Sequence, residues 1–185
     1  MHKQPSMSPK TVALHDEMRE LWEQHVYFTR MQIISAVGKL PDLDATTDRL
    51  MRNPGDIAAV YARYYPKAVA DKIQHLFTEH LQIAGDMVGA LINGQTEKAN
   101  ELKAKWYQNA DDIAAALAPL SPAYDKSELQ AMMRRHLDLT SQEAAMRLAG
   151  NYPADIAAFG HIEEEALLMA DYLSNGIIKK FPGRF

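Results

Sequence analysis

Apolar residues recur at three- and four-residue steps along most of the chain, a spacing that predicts helices. Leu14, Met18, Leu21, Trp22, His25, Phe28, Thr29, Gln32 and Ile33 mark one face of a first helix that begins near Lys10. Gly38 is its expected C-cap, and Asp16, Glu17 and Glu20 lie toward the end where they suit the helix dipole. Residues 1–9 are mostly polar, contain Pro5 and Pro9, and are expected to form a flexible end. Pro41 and Pro54 bracket at most a short helix near 45–51. Asn53-Pro54-Gly55-Asp56 reads as a turn and N-cap that opens a second short helix over 57–65, stopped by Pro66.

A long helix is predicted over 67–93, with Ile73, Leu76, Phe77, His80, Ile83, Ala84, Met87 and Leu91 inward and Asn93-Gly94 closing it. The next spans 95–117 and carries Trp106, with a local break expected near 109–112 and a stop at Pro119 and Pro122. Leu129, Met132, Met133, His136, Leu139, Thr140 and Glu143 define the inner side of a helix over 126–149. Gly150-Asn151-Tyr152-Pro153 reads as a tight reversal. The last helix, over 154–179, sets Ile156, Phe159, Glu163, Ala166, Ala170, Leu173 and Ile177 inward, with Lys179 and Lys180 suiting its end. The fold class is therefore all-α: a bundle of four to five long helices with short connecting helices, one domain over 10–185.

The chain also matches itself. Residues 53–94 align with 109–150 without a gap, pairing Asn53 with Asn109, Asp56-Ile57-Ala58-Ala59 with Asp112-Ile113-Ala114-Ala115, Pro66 with Pro122, His80 with His136 and Gly94 with Gly150. This implies an internal duplication of a short-helix/long-helix unit with a central histidine. The first helix resembles a worn copy: Gly38 keeps the register of Gly94, but His25 is one residue out of the register of His80. One residue is about 100° around a helix, so His25 is the least securely placed. Asp155-Ile156-Ala157-Ala158 echoes the start of the unit once more.

Composition narrows the chemistry. The chain has 185 residues, 47% of them hydrophobic, which suits a single folded domain with a real core. Net charge is −4 and no Lys/Arg cluster stands out, which argues against nucleic acid as a partner. There is no cysteine, so thiolate metal sites and cysteine nucleophiles are excluded. No apolar stretch has the length of a membrane span, and a cytoplasmic location is the expectation. The Glu-x-x-His pair of di-iron bundles, the His-Glu-x-x-His zincin motif, Gly-rich phosphate loops and the Gly-x-Ser-x-Gly elbow are all absent.

What remains is a histidine on the apolar stripe of each of three long helices. The short reversal after residue 149 makes the last two helices antiparallel, which brings Glu163 level with His136. The same reasoning across Asn93-Gly94 sets Trp106 near the level of His80. His25, His80, His136 and Glu163 thus form a candidate ligand set for a divalent transition metal (Fe, Zn, Mn or Cu), for redox or oxygen-linked work or for sequestration. Thr29 and Thr140 follow His25 and His136 by one turn and could support them from outside, as could Trp106. The blander role for each Thr is a bond to its own helix backbone. Glu143 needs a partner if buried, with Arg30, Arg147 or a histidine as candidates, or else it belongs to a second ligand set. His161 and Glu165 are spaced as an i, i+4 pair on a face that reads as solvated, and His2, His15 and His75 read as surface. Met18, Met87 and Met132 read as core filler rather than soft ligands. Two other readings stay open. One is a non-catalytic, stress-associated or homo-oligomeric interaction bundle with packed histidines. The other is a pocket for a small apolar molecule walled by Trp22, Phe77, Trp106 and Phe159.

Several stretches carry a resemblance: Leu14-His-Asp-Glu-Met-Arg-Glu-Leu-Trp22, Glu23-Gln-His25 with Thr29, Trp106-Tyr-Gln-Asn-Ala110, His136-Leu-Asp-Leu-Thr140 and the tail Met169-Ala-Asp-Tyr-Leu-Ser-Asn-Gly-Ile-Ile-Lys-Lys-Phe-Pro182. Over nearly the whole chain after about residue 13, the sequence resembles a family of small, all-helical, uncharacterised bacterial proteins. Members have sometimes carried an acetylglutamate kinase label. An α/β kinase of that type needs Gly-rich phosphate loops, which this sequence lacks. The resemblance implies a fold and no activity.

Overall fold

Each long helix starts and stops for local reasons. The computed structural model describes residues 7–185. Helix α1 (Pro9–Gly38) opens with Pro9 at its first position and the Ser8 hydroxyl accepting from the Thr11 N–H at 3.2 Å. Two short helices follow, α2 (Leu43–Leu50) and α3 (Asn53–Ala62). The remaining long helices are α4 (Lys67–Ile92), α5 (Thr96–Leu117), α6 (Lys126–Leu148) and α7 (Tyr152–Lys180). Asp125 caps α6 by accepting from the Glu128 N–H at 2.9 Å. Asn151 caps α7, which ends on Lys179 and Lys180. Single 3-10 turns at Ala118–Leu120 and Pro182–Arg184 complete the described residues.

The fold is all-α, with five long and two short helices among the described residues. The boundaries differ from expectation at several points. Helix α1 runs through Gly38, and the residue that turns left-handed to end it is Lys39, at φ 51°. Gly94 at φ 68° and Gly150 at φ 71° do the same work after α4 and α6. Asn53 and Pro54 lie inside α3 rather than before it, and α5 passes through 109–112 without a break. Tyr152 and Pro153 belong to the first turn of α7, where a proline needs no N–H partner. The flexible end expected over residues 1–9 lies outside the described residues as far as residue 6, and Pro9 is already helical.

Chain neighbours are spatial neighbours. Helix α4 packs on α5, α5 on α6, α6 on α7, and α7 returns to α1, while α2 leans on α1 and α3 on α4. One apolar core joins all five long helices and α3. Trp22, Trp106, Tyr61, Met18, Ile57 and Leu137 are among its largest wholly buried side chains. The inner stripe of α7 is rotated from the predicted one over its first half. It runs through Asp155, Ala158, Ile162, Glu165, Ala166 and Met169, and leaves Ile156 62% exposed. The shift has a physical cause: Asp155 and Glu165 occupy core positions, so hydropathy alone points one residue away from the true face.

Candidate metal centre

His25, His80 and His136 sit mid-way along α1, α4 and α6, each no more than 2% exposed. Their rings form a near-equilateral triangle, with centroids 5.6, 6.3 and 6.4 Å apart. One nitrogen from each ring lies within 4.8 Å of the other two. The misregister of His25 resolves at the helix ends. Each histidine precedes the residue of positive φ that ends its helix by the same number of residues: 25 to 39, 80 to 94 and 136 to 150. Lys39, not Gly38, is the counterpart of Gly94 and Gly150, and measured from these ends the three histidines are in step.

Each imidazole has an oxygen-bearing partner on a following helix. Nδ1 of His25 lies 3.0 Å from Oδ1 of Asn53 on α3, and Nδ1 of His80 lies 2.9 Å from Oδ1 of Asn109 on α5. The other end of each amide fixes its orientation. Asn53 Nδ2 donates to the Leu21 carbonyl at 2.8 Å, and Asn109 Nδ2 donates to the Leu76 carbonyl at 3.1 Å. A carbonyl only accepts, so the amide nitrogen faces it and the amide oxygen faces the ring. Nδ1 therefore carries the proton in both histidines, and Nε2 is left with a free lone pair. The third pair differs. Nδ1 of His136 faces Oε2 of Glu165 on α7 at 3.4 Å, and neither that nitrogen nor either carboxylate oxygen has a hydrogen-bond partner among the described residues. Glu165 is only 3% exposed.

Two indoles flank the triangle. Trp22 stands 5.5 Å from His25 and 6.5 Å, edge-on, from His136, while Trp106 lies 5.2 Å from His80. Both indole N–H groups are buried without partners, as is the Thr140 hydroxyl one turn after His136. Thr29 takes the blander of its two roles and donates to the His25 carbonyl at 2.7 Å. Electrostatics favour uncharged imidazoles. Burial pushes His25 down to about 3, the neighbouring His136 adds to this, and the Asn53 bond opposes it. Burial likewise holds His80 well below its ordinary value, helped by His136 and His25. Neutral, lone-pair-bearing imidazoles are the form that ligates metals.

Glu143 does not join the triangle. It accepts from Arg30 at 2.5 Å, and the same guanidinium group donates to Asp155 at 2.7 Å, with Arg147 3.3 Å from Asp155. Burial pushes Glu143 up to about 7 despite its arginine partner.

Other expectations fall differently. Glu163 stays outside the cluster: it is half-exposed and accepts from the Tyr27 hydroxyl at 2.7 Å. The rotation of the α7 stripe turns it outward and brings Glu165 in. His161 therefore does not pair with Glu165; it is exposed and lies 3.7 Å from Glu164. His75 is exposed as expected, whereas His15 is half-buried with Nδ1 2.7 Å from the Ser174 hydroxyl. His2 lies outside the described residues. Met18 and Met87 are core residues, and Met133 rather than Met132 completes the set on α6. Phe159 sits with Tyr27 at 5.2 Å and under the Arg30 guanidinium at 4.9 Å, so it does not wall a pocket with Trp22, Phe77 and Trp106.

Sequence reasoning missed Asn53, Asn109 and Glu165. The signal was available: Asn53 and Asn109 are paired in the self-alignment, and one further step of the same length reaches Glu165. Both asparagines also read as helix breakers, which hid their role. No described helix is long and apolar enough to cross a membrane. The chain matches no family model, no curated protein and no solved structure.

Proposed function

We propose that the protein binds one divalent transition metal ion between His25, His80 and His136, through Nε2 of each. The observation that carries this is the convergence of three buried imidazole nitrogens within 4.8 Å, with two of the rings locked in the tautomer that leaves Nε2 free. Ligand bonds of about 2.0–2.1 Å correspond to nitrogens about 3.3–3.6 Å apart. Binding therefore draws α1, α4 and α6 inward by about 1 Å at most, a change that side-chain torsions absorb. An all-imidazole set suits Zn, Fe or Cu better than Mn, which prefers oxygen.

Three protein ligands leave a coordination position open, the pattern of a working centre rather than a closed structural one. The surrounding indoles are apolar walls with free N–H groups, so the position suits a water-sized or diatomic ligand. Oxygen-linked or redox chemistry on Fe or Cu is what an open coordination position of that kind supports, and simple sequestration of the ion is the less demanding use. A bundle with merely packed histidines fits less well. It would leave the His136 Nδ1 and both Glu165 carboxyl oxygens buried without hydrogen bonds for no purpose, at a cost of about 1–3 kcal/mol for each unsatisfied group.

Metal-free protein titrated with Co2+ tests the reading. We expect one equivalent to bind, with visible absorption bands of low-symmetry nitrogen coordination. His80→Ala and His136→Ala should each abolish the bands, with helical circular dichroism retained. Absence of binding by wild type, or binding unchanged in both variants, would sink the reading.

A further inference from the structure

The three histidine pairs serve as controls for one another. In two of them an asparagine accepts from Nδ1 and donates to the carbonyl four residues before the histidine, Leu21 for His25 and Leu76 for His80. In the third, the equivalent carbonyl belongs to Met132 and the equivalent side chain is Glu165. A carboxylate cannot donate to a carbonyl, and both its oxygens are left without hydrogen bonds among the described residues. An asparagine or glutamine there could satisfy every polar group, as at the other two positions. The chain instead carries a buried carboxyl group 3.4 Å from Nδ1 of His136, with no arginine or lysine paired to it among the described residues. Arg30 and Arg147 are engaged by Glu143 and Asp155. A carboxylate buried in this way is stabilised by a positive charge at short range.

Resting on the metal reading, we infer that Glu165 is the positioning residue that gives the centre its preference for a divalent over a monovalent ion. Its carboxylate faces His136 from behind and supplies a negative charge directly against one of the three rings, whereas Glu79 reaches His80 only through the Asn109 amide. Imidazole and amide dipoles set a base preference through ion–dipole attraction and ligand chemistry. Adding one anion behind the third ring favours the ion of higher charge. It also raises the electron-donating power of His136, as carboxylates behind metal-bound histidines do. Glu165 does not touch the ion; it acts through His136.

The test compares wild type, Glu165→Gln and Glu165→Asp, each prepared metal-free and titrated with Zn2+ and, separately, with Cu+ under anaerobic conditions. Gln keeps the length and removes the charge; Asp keeps the charge. The expected result is that Glu165→Gln weakens Zn2+ binding by about 10–100-fold while Cu+ binding stays close to wild type. Glu165→Asp should retain the wild-type preference for Zn2+. Metal-free Glu165→Gln should also melt at a higher temperature than metal-free wild type, because the unsatisfied buried carboxyl group is gone. Equal Zn2+ affinity in wild type and Glu165→Gln would overturn the assignment and leave the three-histidine centre standing. Parallel loss of Zn2+ and Cu+ in Glu165→Gln would make Glu165 a structural prop and would also overturn it. If wild type binds neither ion, the centre itself is wrong and the role of Glu165 falls with it.

Discussion

At the scale of single residues, the centre rests on side chains that are buried, polar and only partly satisfied. His25 and His80 are held uncharged in the folded protein, whereas in the unfolded chain they titrate near their ordinary value. The unfolded state therefore takes up protons first as pH falls. Stability from these two groups is complete above about pH 6.5 and is lost as pH falls below it, down to about 3 for His25. Between pH 6.5 and 5 the loss is about 2 kcal/mol for His25, and His80 adds to it in the same direction. Urea denaturation of metal-free protein at pH 7, 6 and 5 should record this loss, and His80→Gln should flatten the slope. The histidines were legible because each falls on an apolar stripe. Asn53, Asn109 and Glu165 were hidden for a chemical reason. Polar residues on a buried face weaken the very periodicity that locates the face, and asparagine also signals turns. Glu163 was chosen on a stripe drawn through Ile156 and Phe159, of which Ile156 is exposed.

At the scale of elements, the helix ends carry information that the apolar faces do not. Lys39 adopts the left-handed conformation that Gly94 and Gly150 adopt after α4 and α6. A lysine there bears a steric penalty of about 1 kcal/mol, so Lys39→Gly should raise stability by that amount, read from the thermal midpoint. Glycine at 176 works in the opposite sense. The Tyr124 ring lies flat against that stretch of α7, and its hydroxyl donates to the Leu173 carbonyl at 2.5 Å. A Cβ at Gly176 would overlap the ring, and the bond to α7 leaves Tyr124 no easy retreat. Gly176→Ala should cost about 1–3 kcal/mol or more, with a loss of near-ultraviolet tyrosine signal. Helix existence and most boundaries followed from period and punctuation. The expected break at 109–112 and the reversal at 152–153 did not, because Asn109 is bonded to another helix and Pro153 is tolerated in a first turn.

At the scale of the whole molecule, the fold class and the sequence of long helices were readable because successive helices pack on one another. The return of α7 to α1 was not readable, since no local signal encodes a contact across 150 residues of chain such as Arg19 with Asp171 at 2.5 Å. That closure brings the first and last long helices together around the histidine triangle, with indoles beside it and almost no surface exposed. Depth of this kind governs rate as well as strength. On the proposed metal reading, an ion would reach Nε2 only while helices part, so loading should proceed at the frequency of that opening and cease to rise with ion concentration. Stopped-flow mixing of metal-free protein with excess Co2+ should give a plateau rate. Amide hydrogen exchange in the middle of α1 should have the same temperature dependence as that plateau. A chelator in solution should then strip the ion over hours rather than milliseconds. The bundle would act as a time lock: whatever ion it closes on, it keeps until it next breathes.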